Sequence, residues 1–219
     1  MSIGLFSTRV TGTLSSEAGR AIVALFDRLG YAVDFPDVRA CCCGRADSGT
    51  GRREALRTVR TYLDAFSHHE VVVTPSASCA GLVRRHLPVL AERYGDARLR
   101  DQVAEFTARV HEMSELLVDI LKIVDAGAYF PHRVTYHPAR RSRSPRVSSS
   151  EERSLCLLRA VRGIDLVECA QAAGVEVVGP GDDLCLIHVG DGRSPRRTDV
   201  RPVHLAEILA STGKDPQFL

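Results

Sequence analysis

Three consecutive cysteines, Cys41, Cys42 and Cys43, are followed directly by Gly44, a combination that occurs once in the chain. A disulfide between adjacent cysteines is strained, so these side chains are better suited to holding a metal. The next cysteine, Cys79, lies in a second short motif, "TPSASC". Thiolates hold iron–sulfur clusters and also bind zinc, and Gly44 permits a tight backbone turn beside a bulky cofactor. The pattern therefore predicts a thiolate metal site, with iron–sulfur and zinc both open.

Composition narrows the classes of function. The 219 residues carry a formal net charge of +2, which gives no strong field for nucleic acid. No apolar run is long enough to span a bilayer, and the first residues do not have the pattern of a signal peptide. Seven irregularly spaced cysteines are then not a disulfide framework. We expect a cytoplasmic protein that has no membrane span and does not bind nucleic acid.

The elements that must position these cysteines alternate between strands and helices. Predicted strands lie in "SIGLFST", "YAVDFPD" and "EVVVTPS", with amphipathic helices between and after them. A long helix is predicted from about Leu99 to Ile120, and His68 and His69 are predicted to end the helix before the third strand. This alternation of strands and helices indicates an α/β fold with a parallel sheet covered by helices.

The predicted strands bring the cysteine motifs to one edge of that sheet. Cys42 and Cys43 follow the second strand, and Cys79 follows the third strand after a turn. Ligands usually bind at the carboxyl ends of parallel strands, and neighbouring strands lie only about 5 Å apart. We therefore expect the two loops to converge on one pocket. Lone cysteines inside apolar segments, Cys156 and Cys169, are predicted to be core residues.

The second half of the sequence weakly repeats the first. "SLCLLRAVRGIDLVECA" parallels "AIVALFDRLGYAVDFPD", and "VEVVGPGDDLC" parallels "VVVTPSASC", which makes Cys185 the counterpart of Cys79. We predict a first half at residues 1–130 and a shortened second half at 131–219. The Arg-, Ser- and Pro-rich segment at about 138–152 is predicted to be a solvated linker, because it has no interleaved aromatic residues.

Four stretches carry a family resemblance: "CCG", "VVVTPSASCAGLVRRH", "EMSELLVDILKIVDAGAYFPHRVTYHPA" and "VRPVHLAEILA". With them the chain resembles the cysteine-rich CCG-domain proteins, and among these the lactate-utilisation protein A branch. That branch is related to the iron–sulfur subunit of glycolate oxidase and to one of the subunits of heterodisulfide reductase. The resemblance implies two Rossmann-like halves related by internal duplication and a cysteine-ligated iron–sulfur cluster. It also implies other iron–sulfur and lactate-utilisation subunits as partners, with which L-lactate, a small 2-hydroxy acid, is oxidised to pyruvate.

The family motif matches the first half in part. Its Cys-Cys-Gly falls on Cys42, Cys43 and Gly44, and its later cysteine falls on Cys79. Its early cysteine falls on Arg9, which cannot bind a metal.

In the second half the family's early cysteine falls on Arg140, and the second Cys-Cys-Gly is missing. The resemblance therefore implies at most one cluster, of the 4Fe–4S type, with Cys41 and Cys185 as further candidate ligands. It leaves two alternatives: a cluster-free structural or regulatory paralogue, and a zinc or thiol-redox protein. It singles out no catalytic residue.

Overall fold

Two four-stranded parallel sheets organise the chain. They are seen in a computed structural model, which describes residues 1–6, 17–36, 51–137, 145–167, 177–180 and 201–213. The predicted α/β class with parallel sheets is confirmed. Among the described residues, no helix combines the length and the apolar character that crossing a membrane requires.

The first sheet has the strand order β2-β1-β3-β4, with every neighbouring pair parallel. Its strands and helices are β1 (Ile3–Leu5), α1 (Glu17–Arg28), β2 (Val33–Asp34), α2 (Arg52–Ala65), β3 (Val71–Thr74), α3 (Ala77–Tyr94), α4 (Ala97–Ala108) and β4 (Val110–Glu112). The order puts β1 and β3 at the centre, where both of their edges are paired.

The second sheet has the order β6-β5-β7-β8, again with parallel neighbours. A short helix α5 (Met113–Glu115) and a π-helical turn, Leu116–Ile120, lead into β5 (Arg133–His137), α6 (Pro145–Arg159), β6 (Asp165–Val167), β7 (Val177–Pro180), β8 (Arg201–Pro202) and α7 (Leu205–Ala210). Both sheets follow one connection pattern, as two similar halves would. Their origin by internal duplication and the boundary at residue 130 stay predictions.

Helix α1 ends as its sequence predicts. Gly30 adopts φ +82°, which glycine tolerates without strain. Its amide donates to the carbonyl of Asp27 at 2.9 Å, and the Tyr31 amide donates to the carbonyl of Phe26 at 2.8 Å. These two bonds are a Schellman motif, which satisfies carbonyls at the helix end and turns the chain into β2.

The single long helix predicted from about Leu99 to Ile120 is wrong. Helix α4 ends at Ala108, and the chain then adds β4 to the edge of the first sheet beside β3. The apolar spacing misled the prediction because Phe106, on the helix, and Val110, on the strand, are buried in the same core. Ile120, at the end of the predicted stripe, is exposed.

The predicted linker at about 138–152 needs a second correction. Helix α6 begins at Pro145, so the last eight residues of that segment are helical. Proline is well tolerated in the first turn of a helix, where its missing N–H has no intrahelical partner in any case.

Two hydrophobic cores cover the faces of the first sheet. One core lies under α2, α3 and α4 and includes Val72 and Val110. The other, which we call the shared core, joins Ile3, Leu5 and Val73 to α1 and to apolar residues of β5, α6 and α7. Alternation along a strand sends neighbouring side chains to opposite faces, so β3 contributes to both cores.

Arg28, at the end of α1, ties the two halves together beside the shared core. Its guanidinium donates to the carbonyls of Ala126 at 2.9 Å and Ala210 at 2.6 Å, and also to that of Leu209. The last two carbonyls lie at the end of α7, where a cation interacts favourably with the helix dipole. Burial lowers the pKa of Arg28.

Candidate functional site

Cys79 lies in the first turn of α3, within the helix that the sequence predicts over "SCAGLVRRHLPVLAERYG". Pro75 follows β3, and buried Ser76 is the N-cap, whose Oγ accepts a hydrogen bond from the Cys79 amide at 3.3 Å. The half-buried Cys79 side chain packs against the core under α2 and α3. The first turn of a helix favours negative charge, and this is a suitable place for a thiolate ligand.

A buried hydroxyl lies at the end of β3, five residues before Cys79. The Thr74 side chain is fully buried, and its Oγ1 has no hydrogen-bond partner in the described part of the chain. An orphaned buried hydroxyl costs free energy and needs an explanation in a native structure. A polar group added at this edge of the sheet would supply the missing partner.

The strand order changes how the cysteine loops are expected to meet. β1 separates β2 from β3, so the residues after β2 and after β3 start two strand spacings apart, about 10 Å. The expectation that these two strands are neighbours is therefore wrong. Along the chain, Arg9 comes after β1. Strand β1 lies between β2, which precedes Cys42, and β3, which precedes Cys79.

Most of the predicted ligands lie outside the described residues. These are Cys41, Cys42, Cys43, Gly44 and Cys185. In the ranges that are described, no group of three or more histidine, cysteine, aspartate or glutamate side chains has the arrangement of a metal site. The ligand set therefore stays a prediction. Cys156 is described and lies half-buried in α6, where the sequence predicts a core residue.

A cluster of charged and polar side chains at the end of β4 was not predicted. We call it the carboxylate cluster; its members come from α3, β4, the segment after β4, and α6: Arg84, His111, Glu112, Glu115, Asp119, Ser150 and Arg153. One sequence signal could have found part of it. Glu112 and Glu115 have capping-box spacing, and each side chain accepts the other's backbone N–H at 3.3 Å.

Glu112 is the most buried acid of the carboxylate cluster, with 5% of its surface exposed. Burial raises the pKa of Glu112, although hydrogen bonds from Ser114, Glu115 and Ser150 oppose this effect. All three donors act on the same oxygen, Oε2, with Ser150 at 3.3 Å. Glu112 is also the register partner of Thr74, so both side chains lie on the same face at the carboxyl ends of β3 and β4.

The pKa of Glu115 is shifted in the opposite direction to that of Glu112. Burial alone would raise its pKa, but hydrogen bonds from His111 and Arg84 and the charge of Arg84 outweigh burial and lower the pKa to about 2. Arg84 Nη2 lies 2.8 Å from Glu115 Oε2, and Arg84 Nε donates to the carbonyl of Val110 at 2.8 Å. This pair fixes α3 against the end of β4.

His69 lies in the turn after α2 and not at the helix end as predicted, because α2 ends at Ala65. Its ring is buried and its Nε2 lies 3.0 Å from the carboxylate Oδ2 of Asp34, at the end of β2. The Nδ1 atom is buried without a hydrogen-bond partner among the described residues. The pair connects the start of β3 to the sheet edge, and within the described part of the chain it does not belong to a group of three or more potential metal ligands.

Comparison with a family model assigns the first part of the chain. A model described as "CCG: Cysteine-rich domain" matches residues 7–84, from just after β1 into α3. The matched segment includes the triple cysteine, Gly44 and Cys79. The predicted CCG resemblance is confirmed over this segment.

Curated relatives named lactate utilization protein A match almost the whole chain. The protein of Oceanobacillus iheyensis is 28% identical over 240 residues, which cover 95% of this chain and 96% of the relative. That of Geobacillus kaustophilus is 28% identical, with 95% and 98% covered, and that of Macrococcus caseolyticus is 29% identical, with 95% and 96% covered. The predicted similarity to this branch is also confirmed.

Proposed function

We propose that this chain, which carries a CCG cysteine-rich domain and is similar along its length to lactate utilization protein A, is an iron–sulfur-binding subunit. In this proposal it transfers electrons in the oxidation of L-lactate, a 2-hydroxy acid, to pyruvate. The observation that carries the proposal is the family match over residues 7–84 together with the position of Cys79 in the first turn of α3.

The chain's own residues would hold and position the cofactor. In our proposal Cys42, Cys43 and Cys79 are the thiolate ligands, Gly44 lets the backbone approach closely, and Cys41 and Cys185 are further candidates. An iron–sulfur cluster, when bound, accepts and releases single electrons. The helix dipole of α3 favours the negative charge of a thiolate at Cys79, and we propose that the Thr74 hydroxyl contributes a hydrogen bond at the same edge.

The proposal extends to partners and location. Other iron–sulfur and lactate-utilisation subunits would deliver electrons to this chain and accept them from it, and the 2-hydroxy acid would be oxidised by the complex. The relatives' printed name supports a role in lactate utilisation. We propose a cytoplasmic location because free cysteines at a metal site are expected in a reducing compartment.

Metal analysis of protein purified without oxygen tests the proposal. Near-equal iron and acid-labile sulfide, with broad visible absorbance, is the expected result for the wild-type chain. Cys43→Ser should lose most of the iron. Cys156→Ser is the matched control and should keep it, because Cys156 lies in α6, outside the matched domain. Iron retained in full by Cys43→Ser would contradict the ligand assignment.

A second candidate function is favoured by Arg9, which stands where the family has its early cysteine. A cluster-free structural or regulatory paralogue would fold stably and contain no metal. Stoichiometric zinc without sulfide would instead indicate a structural zinc site, and a metal-free chain in which Cys42, Cys43 and Cys79 oxidise reversibly would indicate a thiol-redox protein. Metal analysis together with thiol titration of the oxidised and reduced chain separates these functions.

A further inference from the structure

The carboxylate cluster contains one carboxyl group more than it has guanidinium partners. Arg84 pairs with Glu115 at 2.8 Å, and Arg153 pairs with Asp119 at 2.5 Å. Glu112, the third acid, has no cation within ion-pair distance in the described ranges, and Arg153 affects it only through a longer-range interaction. The two ion pairs are each neutral, so a charge on Glu112 would have no guanidinium partner in the described ranges.

Glu112 lies where the two halves of the chain meet, so its protonation can affect how they pack. Glu112 ends β4, in the first half of the chain, and Ser150 lies on α6, in the second half. The Ser150 hydroxyl donates to Glu112 Oε2, so the carboxyl group bridges the two halves. The neighbouring ion pair also joins the two halves, because Asp119 belongs to the first half and Arg153 to α6.

We propose that the protonated Glu112 carboxyl is a latch that keeps α6 docked against the end of β4, and that loss of its proton releases α6. The docked state buries this carboxyl; in this proposal, undocking of α6 exposes it to water. An ionised carboxylate is disfavoured by burial, so the undocked state releases the proton more readily. Rising pH therefore shifts the equilibrium toward undocking, as linkage requires.

The charged and titratable groups that face this carboxyl respond differently to pH. Those on or next to its own strand are His111, Glu115 and Asp119; those on the helices packed against it are Arg84 and Arg153. Both guanidiniums stay charged across the working range. Glu115, whose pKa is lowered to about 2, stays ionised above pH 5. His111 Nδ1 lies 3.7 Å from Glu115 Oε1, so the contribution of His111 is tested separately.

Hydrogen exchange of the full-length chain, followed by mass spectrometry from pH 5 to 9, tests the latch. After correction for intrinsic exchange rates, protection of α6 amides should fall with pH. Between the pKa of Glu112 in the undocked state and its higher pKa in the docked state, the fall should approach about tenfold per pH unit, and it should level off above the docked-state pKa. Glu112→Gln, which keeps the neutral shape, should give pH-independent protection.

Three controls make the result decisive. Asp119→Asn breaks the neighbouring ion pair and should lower α6 protection at every pH, but should keep the slope. His111→Gln should also keep the slope. The infrared band of a protonated carboxylic acid should disappear from the wild-type chain over the pH range in which α6 protection falls, should be absent from Glu112→Gln over that range, and does not depend on any metal. A flat wild-type profile, an unchanged slope in Glu112→Gln, a slope lost in His111→Gln, or no such band would each overturn the proposal.

Discussion

Replacing Glu115 by glutamine separates the charge of the Arg84–Glu115 pair from its shape. The amide fills the same volume and can still accept a hydrogen bond, but the guanidinium loses its counter-charge. Arg84 then remains largely buried, with 20% of its side chain exposed. A buried cation without a partner is costly, so we expect Glu115→Gln to destabilise the fold at neutral pH.

The magnitude follows from the pKa of Glu115, which falls from its ordinary 4.5 to about 2. At 1.36 kcal/mol per pKa unit, this corresponds to about 3 kcal/mol for a fully buried group. The carboxylate is 23% exposed, so solvent screening reduces the contribution to roughly 1–2 kcal/mol. Because the folded-state pKa is lowered, this stabilisation is fully present above pH 4.5 and disappears as pH falls toward 2.

Urea unfolding at pH 7 and at pH 3 measures the effect. We expect Glu115→Gln to lower the free energy of unfolding by roughly 1–2 kcal/mol at pH 7 and by less than half of that at pH 3. Glu92→Gln is the control, because Glu92 and Arg100 form an exposed pair at 3.5 Å that should contribute less than about 0.5 kcal/mol. Equal losses at both pH values, or equal losses in both variants, would refute the electrostatic reasoning.

Two further predictions concern a crowded glycine and a helix cap. Gly213 and Gly127 both have φ near +70°, but only at Gly213 would a Cβ collide, 2.5 Å from a ring carbon of Tyr129. Gly127→Ala should cost about 1 kcal/mol and Gly213→Ala about 1–3 kcal/mol more in thermal unfolding; equal costs would contradict the packing argument. Ser76→Ala and Asp96→Ala each remove an N-cap and should each cost about 1 kcal/mol. Only Ser76→Ala should also lower the metal content on reconstitution. An unchanged metal content in this variant would show that the Ser76 cap does not affect the metal site.

The alternation of strands and helices could be predicted because each signal was local. A run of four apolar or β-branched residues marks β3, and Gly30 marks the end of α1 with the positive φ that its position requires. Strand β4 could not be predicted in this way. No glycine or proline separates Phe106 from Val110, and both bury apolar side chains in one core whether the backbone is helical or extended. Pairing with β3 decided between the two, and that contact is non-local.

The candidate site was likewise predictable only where its sequence signal is local. Cys79 was found from a motif of six residues, and its place at the start of α3, which Ser76 caps, agrees with the helix predicted there. The carboxylate cluster has no such motif, since Arg84 and Ser150 reach Glu112 and Glu115 from distant parts of the chain. Glu112 is buried in the folded chain, but the sequence around this residue shows an ordinary acid.

The two cores are completed at different times during synthesis of the chain. Every buried residue of the core under α2, α3 and α4 lies between Phe6 and Val110, so this core can form once about half of the chain has left the ribosome. The shared core also needs Leu205 and Ile208 of α7, near the end of the sequence. Until these residues are translated, the shared-core face of the first sheet and one side of α1 are not covered by α7. This apolar surface is where a nascent chain would recruit a chaperone.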